Sequence, residues 1–348
     1  MKLVCNFLDN HFEYLLTMLT TRFTELVGCT VPIQQAGMGF YAHPPLASAV
    51  AAAGGLGMVS VYWDYGGPPE SIAALLDTVQ DHPSGAIGAN FIMHSVDPAL
   101  AEESVATAAA RVRVVDFFYS DPDPTLVDIV HKAGALACWQ VGSLDEALAA
   151  VDAGCDFIIA QGEGAGGHVR GTIGLLPLLD EVLDAVDVPV LAAGGIGSGR
   201  AMAAVLATGA DGVRVGTRFI AAEEPEAHPA FVKALIAAQA QDTIVTQAFN
   251  NSRWPVEYEA IRVLRSSLEA AQAFEGEIVG ENQNPFTGER YPMRRFEADV
   301  IHKAATGNFE AMPMAAGESV SGVKQIQTAA EIIDELMSEA EELLGRWR

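Results

Sequence analysis

The residues best suited to chemistry sit in one run, Asp156-Phe157-Ile158-Ile159-Ala160-Gln161-Gly162-Glu163-Gly164-Ala165-Gly166-Gly167-His168. It opens as an apolar strand of the kind a sheet covered on both faces requires. Four glycines then let the backbone approach a bound group closely. The run ends on a histidine, the side chain that takes up and releases a proton near neutral pH. Strand end, permissive backbone and titratable ring together describe an active-site loop. A surface histidine held only by loop packing is the competing reading.

Two later runs repeat the pattern without the histidine. Val188-Pro189-Val190-Leu191-Ala192-Ala193-Gly194-Gly195-Ile196 is a strand ending in two glycines, and Gly212-Val213-Arg214-Val215-Gly216-Thr217-Arg218-Phe219 is another with a glycine at its tip. Ser198 is placed to cap a helix that follows the first of them. Backbone N–H groups at neighbouring strand tips suit a phosphate. In eight-stranded α/β barrels the loops after strands seven and eight are the usual place for one. Glycine also serves tight turns, so either tip alone carries little weight.

These residues need a scaffold, and the chain supplies a regular one. Apolar, β-rich runs over 31–35, 56–60, 86–91, 112–118, 135–141, 156–161, 188–193 and 212–219 alternate with alanine-rich helical stretches. The repeat of roughly 25–30 residues suits βα units of a parallel sheet. Eight such strands predict a closed (β/α)8 TIM barrel over residues 20–241. An open doubly wound sheet is the alternative, but it carries G-x-G-x-x-G after its first strand. Here that position reads Ala36-Gly37-Met38-Gly39-Phe40. Residues 1–19 read as an N-terminal extension. Residues 242–314, with helical stretches near 258–274 and 298–305, read as a mainly helical lid subdomain. Residues 315–348 read as a loop and an acidic helix returning to the barrel.

Composition narrows the function classes. Of 348 residues, 45 are acidic and 20 basic, a formal net charge of −25. That disfavours nucleic acid and anionic membranes as partners. Apolar runs fall short of a membrane span. Cys5, Cys29, Cys138 and Cys155 are scattered, with no C-x-x-C pair, so no metal site is expected and reduced thiols in a cytoplasmic protein are. Tyr41, His43, Trp63, Tyr65 and Gln140 fall near the barrel mouth, whereas His82, His94, His131 and His302 read as structural or solvated.

Several segments resemble the FMN-dependent nitronate monooxygenase family, formerly 2-nitropropane dioxygenases. They are Pro32-Ile33-Gln34-Gln35-Ala36-Gly37-Met38, Ala53-Gly54-Gly55-Leu56-Gly57, Gly88-Ala89-Asn90-Phe91, the glycine–histidine run, and both glycine tips. The resemblance covers residues 20–240 well and the C-terminal third loosely. It implies FMN as cofactor, with contacts at Met38, Asn90, Gln161, Gly166, Gly195, Val215, Gly216 and Thr217, and it makes His168 the catalytic residue. FAD is less expected, because no adenine-binding fingerprint is present. The implied reaction oxidises a small alkyl nitronate with O2 to a carbonyl compound and nitrite. Its rivals are an NAD(P)H-dependent flavin reductase of quinones or enoyl-ACP (FabK-like), and a non-enzymatic FMN-binding module that has no need of His168. A homodimer is compatible with all three. The chain departs from the family pattern at three places: Arg214 stands where an uncharged residue is usual, Glu163-Gly164 where a bulky residue precedes glutamate, and Glu318 where the loop usually has glutamine.

Overall fold

Eight parallel strands close into a barrel in the computed structural model of the chain, which describes residues 19–61, 68–80, 82–249, 260–284 and 287–346. The anticipated extension before residue 19, and Trp63 and Tyr65, lie outside the described residues. The barrel strands are β1 (Ile33–Gln35), β2 (Leu56–Val61), β3 (Ala86–Ile92), β4 (Val114–Phe118), β5 (Leu136–Val141), β6 (Phe157–Gln161), β8 (Val190–Ala193) and β9 (Gly212–Val215). A two-residue strand, β7 (Gly167–His168), stands outside the barrel in the loop after β6.

Local signals set the helices between the strands. Proline at the first turn opens Pro44–Ala52, Pro69–Leu76 and Pro124–Lys132, where its missing N–H costs nothing. Ser143 and Ser198 cap Leu144–Asp152 and Gly199–Ala207 by accepting from Glu146 and Ala201 N–H. Alternation along each strand then separates two layers. Val115 and Phe117 of β4 pack outward against the helices, while Val114 joins Phe23, Leu56, Met58, Cys138, Phe157, Ile159 and Leu191 in a separate cluster inside. Phe23 enters that cluster from helix Arg22–Val27 and meets Phe157 edge-on at 5.4 Å.

Two readings of the sequence need correction. The last barrel strand ends at Val215; Thr217–Ile220 is a short helical turn. Segment 242–314 is not mainly helical. Its described residues hold one α-helix, Arg265–Ala273, among β10 (Thr243–Thr246), β11 (Ile261–Leu264), β12 (Ile278–Gln283), β13 (Arg290–Arg294) and β14 (Thr306–Gly307). The stretch 298–305 stays irregular because a side chain takes its backbone groups: Asn282 Nδ2 donates to Val300 O at 2.7 Å and accepts at Oδ1 from His302 N at 3.1 Å. This cap has its own core, with Tyr41, Phe231, Phe249, Val263, Met293, Met312 and Val323. It reaches the barrel loops directly, since β10-β11-β7 form one antiparallel sheet with Ile261 opposite His168. The returning helix Ala329–Gly345 lies against Gly199–Ala207, where a Cβ on Gly199 would sit 2.5 Å from Leu336 O. Among the described residues no helix is long and apolar enough to cross a membrane.

Candidate active site

The C-terminal ends of the barrel strands open into a cleft roofed by the cap. Met38, Asn90, Gln161, Gly166, His168, Gly195, Gly216 and Thr217 all line it. Val215 does not. It is buried in the layer between barrel and helices, and its carbonyl accepts from Ala36 N–H at 2.9 Å. Strand alternation aims its neighbours inward and Val215 outward.

At one side of the cleft the glycine tips converge. Gly195 has φ +75°, and the space a Cβ would fill there is empty of protein within 4 Å. Gly216 follows β9 beside Ala36 and Met38. Thr217 Oγ1 accepts from Gly317 N–H at 2.9 Å, which leaves its hydroxyl proton free to be donated into the cleft. Ser319 completes this side. Gly166 differs: a Cβ there would lie 2.3 Å from Gly317 N, so this glycine is needed first for loop-on-loop packing.

Across the cleft stands the histidine loop. Gln161 Nε2 donates to His168 O at 3.1 Å, and Gln161 Oε1 accepts from Arg170 N at 3.1 Å. The amide named in the sequence as a ligand contact therefore also holds the loop that carries His168. Arg262 of β11 clamps the same loop from above, donating through Nε and Nη2 to Glu163 O at 3.1 and 3.0 Å and facing Glu318 at 3.6 Å. Glu318 N–H donates to Gly164 O at 2.9 Å. Two of the three departures from the family pattern thus meet at one staple.

Tyr119 was not singled out from the sequence. It follows β4 with φ +56°, a backbone region that costs a bulky L-residue of order 1–2 kcal/mol. Its buried ring stands edge-on to the His168 ring at 5.4 Å and to His94 at 6.0 Å. Burial pulls the His94 imidazole down to about 4, which keeps that ring neutral at ordinary pH. Gln140, Phe118, Tyr41 and the cap residues Glu297 and Asp299 also line the cleft; His43 does not.

Residues 20–339 match the nitronate monooxygenase family. The chain belongs to that family. A probable nitronate monooxygenase of Staphylococcus aureus (strain JH9) is 27% identical over 344 residues, 86% of this chain and 91% of the relative. The (3aS,4S,5R,7aS)-5-hydroxy-7a-methyl-1-oxo-octahydro-1H-indene-4-carboxyl-CoA dehydrogenase of Rhodococcus jostii (strain RHA1) is 36% identical over 235 residues. That is 67% of this chain, and the chain spans only 64% of that relative's length. FabK from Thermotoga maritima superposes with a TM-score of 0.76 at 29% identity, covering 95% of this chain and 99% of that one. Nitronate monooxygenases are flavin-dependent oxidoreductases in general, and this member of the family is an oxidoreductase. The cleft fits such a group: unfilled space at Gly195, a free hydroxyl proton at Thr217, and amide side chains at Asn90 and Gln140.

Proposed function

We propose that the chain is an FMN-dependent nitronate monooxygenase that oxidises alkyl nitronates with O2 to carbonyl compounds and nitrite. One observation carries the reading: His168 and the glycine cradle of Gly195, Gly216 and Thr217 line the same cleft. FMN supplies the electron-transfer chemistry when bound. Gly195, Gly216 and Thr217 hold its phosphate through backbone and hydroxyl donors. Met38, Asn90 and Gln161 contact the remainder. Val215 contributes through its position in the strand rather than its side chain.

His168 takes the α-proton of a neutral nitroalkane, or in its protonated form holds the anionic nitronate. Gln161 fixes the loop through His168 O, and the Tyr119 edge limits rotation of the imidazole. The cap excludes water by closing over the strand ends.

A second reading is favoured by one observation: the Rhodococcus relative acts on a ring carried as a CoA thioester. In that case the chain is a dehydrogenase or reductase of a bulky acyl thioester, with His168 as base or acid at the carbon next to a carbonyl. Anaerobic reduction separates the two. Bleaching of the visible flavin absorbance by a nitronate and not by NAD(P)H supports the first. Bleaching by NAD(P)H alone overturns it.

A further inference from the structure

The barrel interior holds an ion pair that the reading above does not use. Arg214 lies on β9 and Asp116 on β4. In the order β1-β2-β3-β4-β5-β6-β8-β9 these strands are diametrically opposed. Arg214 reaches across the barrel, and its Nη1 donates to Asp116 Oδ2 at 2.6 Å. Asn90 Nδ2 donates to the same oxygen at 2.7 Å, and Cys138 Sγ lies 3.7 Å from Oδ1. The two charged side chains are 4% and 0% exposed.

The pair is polarised along the barrel axis. Arg214 lines the cleft together with Asn90, and Asp116 does not. A guanidinium offers five N–H donors in a fixed fork and keeps its proton. Among the described residues Arg214 donates only to Asp116, so its other donors are left for an occupant of the cleft. Gln34, opposite Arg214 in the strand ladder, is fully buried, and neither of its amide atoms has a partner among the described residues. This layer therefore holds more hydrogen-bonding capacity than the fold consumes. Bracing the barrel does not account for it, because a buried ion pair is often no more stabilising than apolar residues of the same volume. The layer beneath is of that apolar kind.

We propose that Arg214, braced from below by Asp116, is the anion-stabilising group at the floor of the cleft, and that it stabilises the negative charge a bound flavin acquires on reduction. The inference rests on the flavin reading of the cleft. Two electrons and one proton pass from the reducing substrate to the flavin ring, which is left with one negative charge. Arg214 offsets that charge and transfers no proton. In a low-dielectric interior this effect needs no direct contact.

Sulfite provides the test on purified holoprotein. Its sulfur lone pair adds to N5 of oxidised flavin without a leaving group and leaves the same charge on the ring, so loss of visible absorbance reports the stabilisation independently of turnover. Arg214→Gln is expected to weaken sulfite binding roughly 10–100-fold, with a lower two-electron reduction potential. Arg214→Lys is expected to keep most of both. Asp116→Asn leaves the guanidinium uncompensated and is expected to move sulfite affinity the other way, so the proposal stays open to refutation even if one variant folds poorly. An Arg214→Gln protein that binds FMN and sulfite as the wild type does overturns the proposal and returns the pair to a bracing role. Weaker sulfite binding in Asp116→Asn also overturns it. A wild-type protein that takes up no flavin overturns the flavin reading itself, and the proposal with it.

Discussion

The two ends of the barrel interior are built from different chemistry. The lower half is a plug of Phe23, Leu56, Met58, Val114, Phe157 and Ile159. The upper half carries Asn90, Gln140, Gln161, Arg214 and the glycine tips, and opens into the cleft. The same strands feed both, so the change of composition along a strand marks where packing stops governing residue choice. In (β/α)8 barrels this asymmetry separates stability from activity. Substitutions below should lower stability and leave the chemistry of folded molecules intact; substitutions of the cleft-facing groups above should act first on cofactor binding or chemistry.

The largest effect is expected at His168. His168→Ala should keep flavin and lose turnover on neutral nitroalkanes by roughly 10²–10⁴-fold, the scale of one general base. A preformed nitronate needs no deprotonation, so its oxidation should fall less if His168 serves only as base. Comparing kcat/KM for both ionisation states of one substrate in the two proteins separates base from anion holder. Unchanged kinetics with both forms would remove His168 from the mechanism. Loss of flavin would assign the residue to the cofactor loop, and the clean division between the two ends would fail with it.

Phe157→Ala probes the lower half. Phe157 is fully buried in the plug and stacks edge-on with Phe23. The cavity left behind should cost about 3–5 kcal/mol. Chemical denaturation should show that loss, while kcat per folded, flavin-loaded molecule stays near the wild-type value. A change in kcat larger than the change in folded fraction would show that the plug also sets the geometry of the floor above it.

Two glycines sharpen the comparison within the upper half. Gly166→Ala should lower the melting temperature, because the new methyl meets Gly317 N at 2.3 Å. Gly195→Ala meets no protein atom within 4 Å, so its cost comes from φ +75° and from intrusion into the cleft. Strain of about 1–2 kcal/mol is expected there, together with roughly tenfold weaker flavin binding. Fluorescence titration of the apoprotein beside thermal unfolding gives both readings. The reverse pattern would show that Gly166, rather than Gly195, faces the cofactor.

How much of this was legible in the sequence follows from how local each signal is. Each βα unit of the barrel carries its own apolar run, several add a helix cap or a glycine tip, and the strands fall close to where those cues place them. The cap was misread because its cues are long-range. Ile261-Arg262-Val263-Leu264 has no helical or strand period of its own, and Arg262 is buried by bonding Glu163 O, 99 positions away. Arg214 and Asp116 are 98 positions apart. Tyr119 gave no sign of its positive φ, because that conformation is announced locally only by glycine or asparagine. Gln161 was legible as a polar residue at a strand tip; its second task, holding His168 O, depends on a loop path that no local pattern encodes.

The smallest expected effect concerns acid, and it belongs to the upper end. His94 follows β3 in the turn Met93–Ser95, and burial holds its imidazole at about 4, against the 6.5 of an exposed ring. The unfolded chain therefore binds a proton on this residue at a pH where the folded protein refuses it. Stability from His94 is fully present above about pH 6.5 and is lost as pH falls from there toward 4. His43 and His228 are pulled down in the same direction, also by burial. At the lower end burial pushes Cys29 up to about 12 and raises Cys138 well above its usual value, so neither thiol ionises in this window. Acid should thus loosen the top before the plug. Melting temperatures between pH 7 and 5 should fall in the wild type and fall less in His94→Asn. The range stops above the carboxylates because Glu226, lowered by Lys303 and His302 against its own burial, loses its contribution only at lower pH. Hydrogen exchange at pH 5 should show protection lost first around Met93–Ser95 while β4 and β6 stay protected. An equal pH slope in wild type and His94→Asn would show that His94 is protonated in the folded protein, with its ring open to water rather than packed on Tyr119.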